Sequence, residues 1–144
     1  MKVNQCMTRE VHIADPADTL QHAAKTMADI DAGFLPVGEN DRLVGIITDR
    51  DIAIRAVGTG RSADAKVRDV MSDEVKYCYA DDEIDEVLGN MGEQQIRRLP
   101  VVDRDKRLVG VISITDLAAN GEMRQSGEAL CEIARPSAMH SQSI

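Results

Sequence analysis

The chain has 144 residues, enough for one core of ordinary size or for two small units that need each other. Charged residues make up 29% and hydrophobic ones 43%, the balance of a globular protein rather than a disordered one, and no apolar run approaches the roughly 20 residues that cross a bilayer. A net charge of −8 excludes duplex nucleic acid as a partner for the surface as a whole, and aromatics at 2% leave no stacking platform for single strands.

In chain order, the start MKVNQCMTREVHI lacks the apolar stretch of a secretory signal, so the cytoplasm is the expected location. A short strand is predicted over Val11 to Ala14. Leu20, Ala23, Ala24, Met27 and Ile30 recur at helical spacing and predict a helix of about four turns. Phe34 to Val37 and Leu43 to Ile47 read as two strands around the hairpin signal Gly38-Glu39-Asn40-Asp41. A shorter helix follows, with Ile52, Ala53, Ala56 and Val57 on one face and Gly58 and Gly60 closing it. RSADAK, Arg61 to Lys66, is a polar connection. The order then repeats. Val75 to Tyr79 is a short strand, Ile84, Val87, Leu88 and Met91 mark a helix, and two strands flank the turn Asp103-Arg104-Asp105-Lys106. Beyond Gly121, GEMRQSGEALCEIA reads as a weak helix and RPSAMHSQSI as a frayed tail.

The repetition extends to residue identities. With Met7 set against Met71, MTREV lies on MSDEV and Leu35-Pro36-Val37 on Leu99-Pro100-Val101; one extra residue in the second turn then sets RLVGIITDRDIA on RLVGVISITDLA. Met7 to Ala53 holds 15 identities in 47 positions, where unrelated stretches would share about 3 at common residue frequencies. Each copy alone buries too little for comfortable stability. The expected fold class is α/β, in the mixed α+β sense, with two β-α-β-β-α repeats packed face to face about a pseudo-twofold.

The polar cluster Thr48-Asp49-Arg50-Asp51 is the first candidate site. Thr48-x-x-Asp51 and Ser113-x-x-Asp116 have the form of a capping box, which satisfies free amides at a helix start and needs no ligand. Asp49 becomes Ile114 at the aligned position of the second copy, so a paired-carboxylate metal site is not a feature of the unit. A hydroxyl that can donate to phosphate, followed by a carboxylate that can accept from ribose hydroxyls, also suits a nucleotide. Arg97, Arg98, Arg50 and Arg55 supply local positive charge, although an arginine pair is often only a solvated edge. Gly33-Phe34 stand where the second copy has Arg97-Arg98, so the two sites are not equivalent. Tyr77, Cys78 and Tyr79 can flank a purine or simply belong to the core. Cys6, Cys78 and Cys131 are odd in number and widely spaced, against both a disulfide framework and a zinc ribbon; a metal site built from them with His12, His22 or His140 is the outlying alternative. No Walker lysine motif or recognisable Ser/Cys-His spacing is present, and no enzyme is expected.

The β-α-β-β-α unit, the doubled LPV and the pattern glycine, two apolar residues, Ser/Thr, two residues, Asp in GIITDRD and GVISITD resemble the cystathionine β-synthase (CBS) domain. Two in tandem resemble a Bateman module, and the chain is similar to stand-alone bacterial CBS-pair proteins. The resemblance implies domains at 4–60 and 67–121, a connection at 61–66 and a C-terminal helix and tail at 122–144. It implies a non-enzymatic regulatory module that binds an adenosine-containing ligand (AMP, ADP, ATP, NAD(H) or S-adenosylmethionine) in the cleft between the two domains, as an energy or redox sensor. Thr48 and Ser113 would face phosphate, and Asp51 and Asp116 would hold ribose. Thr115 matches a second hydroxyl position whose counterpart is Arg50, Arg98 matches a basic position, and Ile13 and Tyr77 match the base-contacting strand. The first copy departs from the pattern in Val37-Gly38, against Val102-Asp103, and in Phe34, which is expected to crowd one site. The resemblance further implies a homodimer and a regulated protein of unknown identity. A ligand-free dimerisation module and a metal- or redox-responsive pair are the alternatives.

Overall fold

A computed structural model describes residues 1–120 and 123–136; Ser137 to Ile144 of the expected tail, with His140, lie outside the described residues, as do Gly121 and Glu122. The fold is mixed α/β and divides into two compact units. The first unit is His12–Val75 with Lys106–Leu108, and the second is Met1–Val11, Lys76–Asp105 and the chain from Val109 onward. Each unit takes its small sheet and helices mainly from one sequence copy, but borrows the segment that precedes the other.

In the first unit, helix α1 (Leu20–Ile30) buries Leu20, Ala23 and Met27 on one face. Thr19 caps it by accepting from the His22 amide at 3.1 Å, and Asp31 ends it in the left-handed region at φ 54°. The helix is 11 residues, about three turns, and Ala24 stays exposed. Strands β1 (Phe34–Glu39) and β2 (Arg42–Thr48) are antiparallel, with a register shift between Val37 and Gly38. Asn40 and Asp41 both have positive φ, 54° and 64°, the backbone of a two-residue hairpin turn, which Asn and Asp tolerate. Of the predicted strand over Val11 to Ala14 only a bridge remains: Ala14 pairs in parallel with Val37. At the other edge Ser72 bridges Ile46, each amide donating to the other's carbonyl at 2.9 Å. Helix α2 (Val67–Val70) buries Val67 and Val70 in this same core.

The helix after β2 differs from expectation. Asp51–Ala56 is a π-helix, running into a 3-10 turn at Val57–Thr59 that Gly60 closes at φ 85°. Wider turns rotate side chains away from the stripe an α-helix would bury. Ala56 is buried and Ile52 half-buried, but Ala53 and Val57 are exposed, as is Ile54.

The second unit repeats the plan with a fuller sheet, in the order β3 (Cys78–Tyr79), β4 (Arg98–Val102), β5 (Leu108–Ser113). β3 runs parallel to β4, pairing Cys78 with Val101 and Tyr79 with Val102. Thr8 bridges Val111 as Ser72 bridges Ile46, and a 3-10 turn at Val3–Gln5 buries Val3 where α2 buries Val67. Helix α3 (Ile84–Gln94) buries Ile84, Val87, Leu88, Met91 and Gly92. This wider stripe has a cause: α5 (Met123–Ile133) packs on α3 and on α4 (Ile114–Ala119). A Cβ on Gly92 would lie 3.4 Å from the Ala129 Cα, so glycine there permits close helix approach. Gln95, left-handed at φ 56°, donates its side-chain amide to the carbonyls of Glu132 and Arg135 at 2.9 Å and closes the end of α5.

Close approach also explains the glycine shared by the two motifs. A Cβ on Gly45 would lie 2.8 Å from Met71 Sδ and 2.9 Å from the Ser72 carbonyl oxygen. On Gly110 it would lie 2.7 Å from Met7 Sδ and 2.9 Å from the Thr8 carbonyl oxygen. Each glycine thus receives the borrowed segment, and each methionine covers it.

Candidate functional site

Each unit ends its last sheet strand in a hydroxyl residue and turns at once into a helix. In the first unit, Thr48 Oγ1 accepts from the Asp51 amide at 3.0 Å and Asp51 Oδ2 accepts from the Thr48 amide at 3.0 Å. In the second, Ser113 Oγ accepts from the Asp116 amide at 3.0 Å and Asp116 Oδ2 from the Ser113 amide at 3.2 Å. Both are reciprocal capping boxes, so the capping reading of the motif holds in both copies. Capping leaves capacity: the hydroxyl still carries its own hydrogen, and a carboxylate has lone pairs beyond the one the cap uses.

The strand ends are anchored alike and furnished differently. The Asp49 amide donates to the Gly33 carbonyl at 2.9 Å, and the Ile114 amide to the Arg97 carbonyl at 3.0 Å. In the second unit this hydrogen bond brings Arg97, expected at the site, beside the Ser113, Thr115 and Asp116 turn. Arg97, Arg98 and Thr115 are exposed, whereas Ser113 and Asp116 are half-buried. Ile114 is buried in the core. In the first unit Thr48, Arg50 and Asp51 are half-buried and Asp49 is exposed. Arg55 Nη1 lies 3.9 Å from Asp51 Oδ1, a loose pair one helical turn on.

Ile13 and Tyr77 occupy matching positions ahead of their sheets and are 50% and 38% exposed. Ile13 Cγ2 lies against Gly38, within 2.8 Å of where a Cβ there would stand. Tyr77 meets Tyr79 edge to face, with ring centroids 5.7 Å apart. Arg104 stacks on Tyr79 at 4.3 Å from the ring centroid and grips Asp81 with two bonds of 2.7 and 3.1 Å. That hydrogen bonding holds the Asp81 carboxyl below its usual range. Cys78, in contrast, belongs to the core, and burial, with smaller contributions from Asp82 and Cys6, pushes its thiol up to about 12. Cys6 is partly buried and Cys131 exposed. Among the described residues no three His, Cys, Asp or Glu side chains converge as a metal site, and no helix is long and apolar enough to cross a membrane.

In the sequence Asp49 is not a repeated feature, because its counterpart is Ile114. The structure gives Asp49 a defined seat: a Cβ on Gly33 would stand 2.7 Å from its Oδ2. The available signal was the paired difference, Gly33 with Asp49 against Arg97 with Ile114.

Comparison with known proteins is consistent with this duplicated geometry. The CBS domain family matches residues 3–58 and 67–121. The CBS domain-containing protein YhcV of Bacillus subtilis is 38% identical over 133 residues, covering 92% of this chain and 94% of that protein. The crystal structure of Hypoxic Response Protein I with two coordinated zinc ions shares 35% identity at a TM-score of 0.74, covering 83% of this chain and 98% of that one. The CBS domain pair of MJ0100, solved in complex with 5′-methylthioadenosine and S-adenosyl-L-methionine, shares 26% identity at a TM-score of 0.75, covering 86% and 98%.

Proposed function

The chain belongs to the CBS-domain family and carries its unit twice, and from that premise we propose that it is a non-enzymatic regulatory module that binds an adenosine-containing nucleotide. The observation that carries this reading is the exposed pair Arg97 and Arg98, with the Arg97 carbonyl tied to the capped Ser113 turn, whose hydroxyl and carboxylate keep capacity for a ligand. Ser113 donates its hydroxyl hydrogen to phosphate, Thr48 offers its hydroxyl to a ligand at its own strand end, and Asp116 and Asp51 accept from ribose hydroxyls, while each keeps its cap. Arg97 and Arg98 offset phosphate charge, Arg50 adds positive charge beside Thr48, Thr115 adds a hydroxyl, and Ile13 and Tyr77 offer exposed surface for the base. AMP, ADP, ATP and NAD(H) are the proposed ligands, and the role is that of an energy or redox sensor in the cytoplasm. Support for an adenosine ligand comes from MJ0100, whose CBS pair was solved with two adenosine compounds.

Signalling follows from differential affinity: a ligand that binds one arrangement of the protein better shifts the population toward it and alters contacts with a second copy or a regulated protein. Titration of AMP, ATP, NAD(H) and S-adenosylmethionine by calorimetry, repeated with Asp51→Ala and Asp116→Ala, tests the proposal. Silence across the panel overturns it. A ligand-free dimerisation module has its own support, because both caps are satisfied without a ligand; it predicts no nucleotide-dependent change in Tm. A zinc-responsive reading draws on Hypoxic Response Protein I, and zinc content after metal-free purification decides it.

A further inference from the structure

The two strand ends differ at positions that the duplication sets against each other. Gly33 and Asp49 stand where the second copy has Arg97 and Ile114, and the same backbone hydrogen bond joins each pair, at 2.9 and 3.0 Å. The frames agree and the side chains are exchanged. In the first unit the Asp49 carboxylate is folded onto Gly33, so that a Cβ there would meet Oδ2 at 2.7 Å, Cγ at 3.0 Å and Oδ1 at 3.1 Å. Its Oδ1 accepts from the Arg50 amide at 2.8 Å. No side chain can occupy position 33 while Asp49 keeps this place. In the second unit the residue after the hydroxyl is apolar and buried, and Arg97 stands exposed next to Arg98.

Charge follows from this exchange. Around Thr48, the cations Arg50 and Arg55 are balanced by Asp49 and Asp51, and Arg55 already leans on Asp51 at 3.9 Å. Around Ser113, the exposed Arg97 and Arg98 lead into β4 and Asp116 is the one carboxylate of the turn. A phosphate bound at Thr48 would meet a carboxylate on the very next residue. At roughly 6 Å, one pair of like charges weakens binding by about threefold in bulk water and about a hundredfold at the lower effective dielectric of a protein surface. A ligand without phosphate meets no such repulsion.

We infer that Asp49, seated on Gly33, is a specificity-determining residue that keeps phosphate-bearing ligands from the Thr48 strand end and reserves it for an adenosine compound without phosphate. The inference rests on the nucleotide-binding reading above and assigns the phosphate-bearing ligand to the Ser113 strand end.

Calorimetric titration of the full chain with AMP and with 5′-methylthioadenosine tests it. The wild type is expected to bind one AMP per chain, lost in Asp116→Ala, and to bind methylthioadenosine with a component lost in Asp51→Ala. Asp49→Asn keeps the shape and removes the charge; it is expected to open a second AMP site or tighten a weak one by about tenfold, with methylthioadenosine affinity unchanged within about twofold. Gly33→Arg with Asp49→Ile, which copies the second strand end into the first, is expected to act in the same direction. Two equivalent AMP sites in the wild type, or an Asp49→Asn isotherm for AMP that superposes on the wild type, overturn this inference and leave nucleotide binding standing. Absence of heat with both compounds in every variant overturns the nucleotide reading and this inference together.

Discussion

Replacing Gly110 by alanine tests how the borrowed segment is held. The added methyl would lie 2.7 Å from Met7 Sδ, 3.1 Å from its Cγ and 2.9 Å from the Thr8 carbonyl oxygen. The methionine side chain can swing away, but the carbonyl belongs to a bridge in which Thr8 and Val111 exchange two hydrogen bonds of 2.9 Å. Relief therefore requires the Met7-Thr8 backbone to lift from β5. Two hydrogen bonds at about 1 kcal/mol each, and partial exposure of a buried methionine at about 1–2 kcal/mol, give a loss of about 3–4 kcal/mol. For a chain of this length that lowers Tm by roughly 10–13 °C. Scanning calorimetry measures the shift, and hydrogen exchange locates it: the amides of Thr8 and Val111 are expected to lose protection first. Gly45→Ala is expected to act alike through Met71 and Ser72, and Gly89→Ala serves as the control. Gly89 lies in α3 with nothing within 4 Å of a Cβ, so alanine there is expected to stabilise by about 0.5–1 kcal/mol. A Gly110→Ala protein that melts within about 1 °C of wild type, with both amides still protected, refutes the account of the motif glycine.

Ser113→Ala and Asp116→Ala each remove one half of a reciprocal cap and are expected to cost about 1 kcal/mol in urea denaturation, with the double variant costing less than the sum because the halves are coupled. Gln95→Glu keeps the side-chain length but turns a carboxylate toward the carbonyls of Glu132 and Arg135; α5 is expected to lose about 1–2 kcal/mol of stability, read from exchange of its amides. The Cys78 thiol, pushed up to about 12 by burial, keeps its proton in the folded chain after the unfolded chain has released one. Since the unfolded state then binds fewer protons, stability falls as pH rises above the ordinary thiol value near 9, by about 1 kcal/mol between pH 9 and 10. Urea midpoints for wild type and Cys78→Ala are expected to diverge in slope only across that alkaline range.

Much of the fold was legible because duplication doubles each local signal. Leu20, Ala23 and Met27 announce α1, Leu35 and Ile47 the hairpin core, and the hydroxyl-x-x-Asp spacing the caps. What stayed hidden depends on contacts between segments distant in sequence. Nothing local in Val3 or Val67 says that each packs with the unit of the other copy. The π-helix over Asp51–Ala56 carries the same apolar spacing as an α-helix in sequence, and only its wider turns, with the burial they give, separate the two. Exposed Tyr77 and buried Cys78 share a β-rich run whose two faces are set by the pairing of Cys78 with Val101.

The duplication also bears on how the site positions are to be weighed. A residue present in both copies is one that both folds need: Gly45 and Gly110 admit the borrowed segment, and Thr48 with Asp51 and Ser113 with Asp116 start the following helix. Such residues would recur in a unit that had lost every ligand, so their recurrence cannot by itself argue for binding. The positions where the copies differ on a shared backbone are more telling. Gly33 and Asp49 against Arg97 and Ile114 exchange a carboxylate for a guanidinium without disturbing the hydrogen bond beneath them, and no demand of the fold requires that exchange. If capping alone governed both strand ends, the Asp49→Asn change would pass unnoticed by any ligand. A change in AMP stoichiometry in that variant, with the caps intact and Tm within about 2 °C of wild type, separates selective binding from mere helix termination.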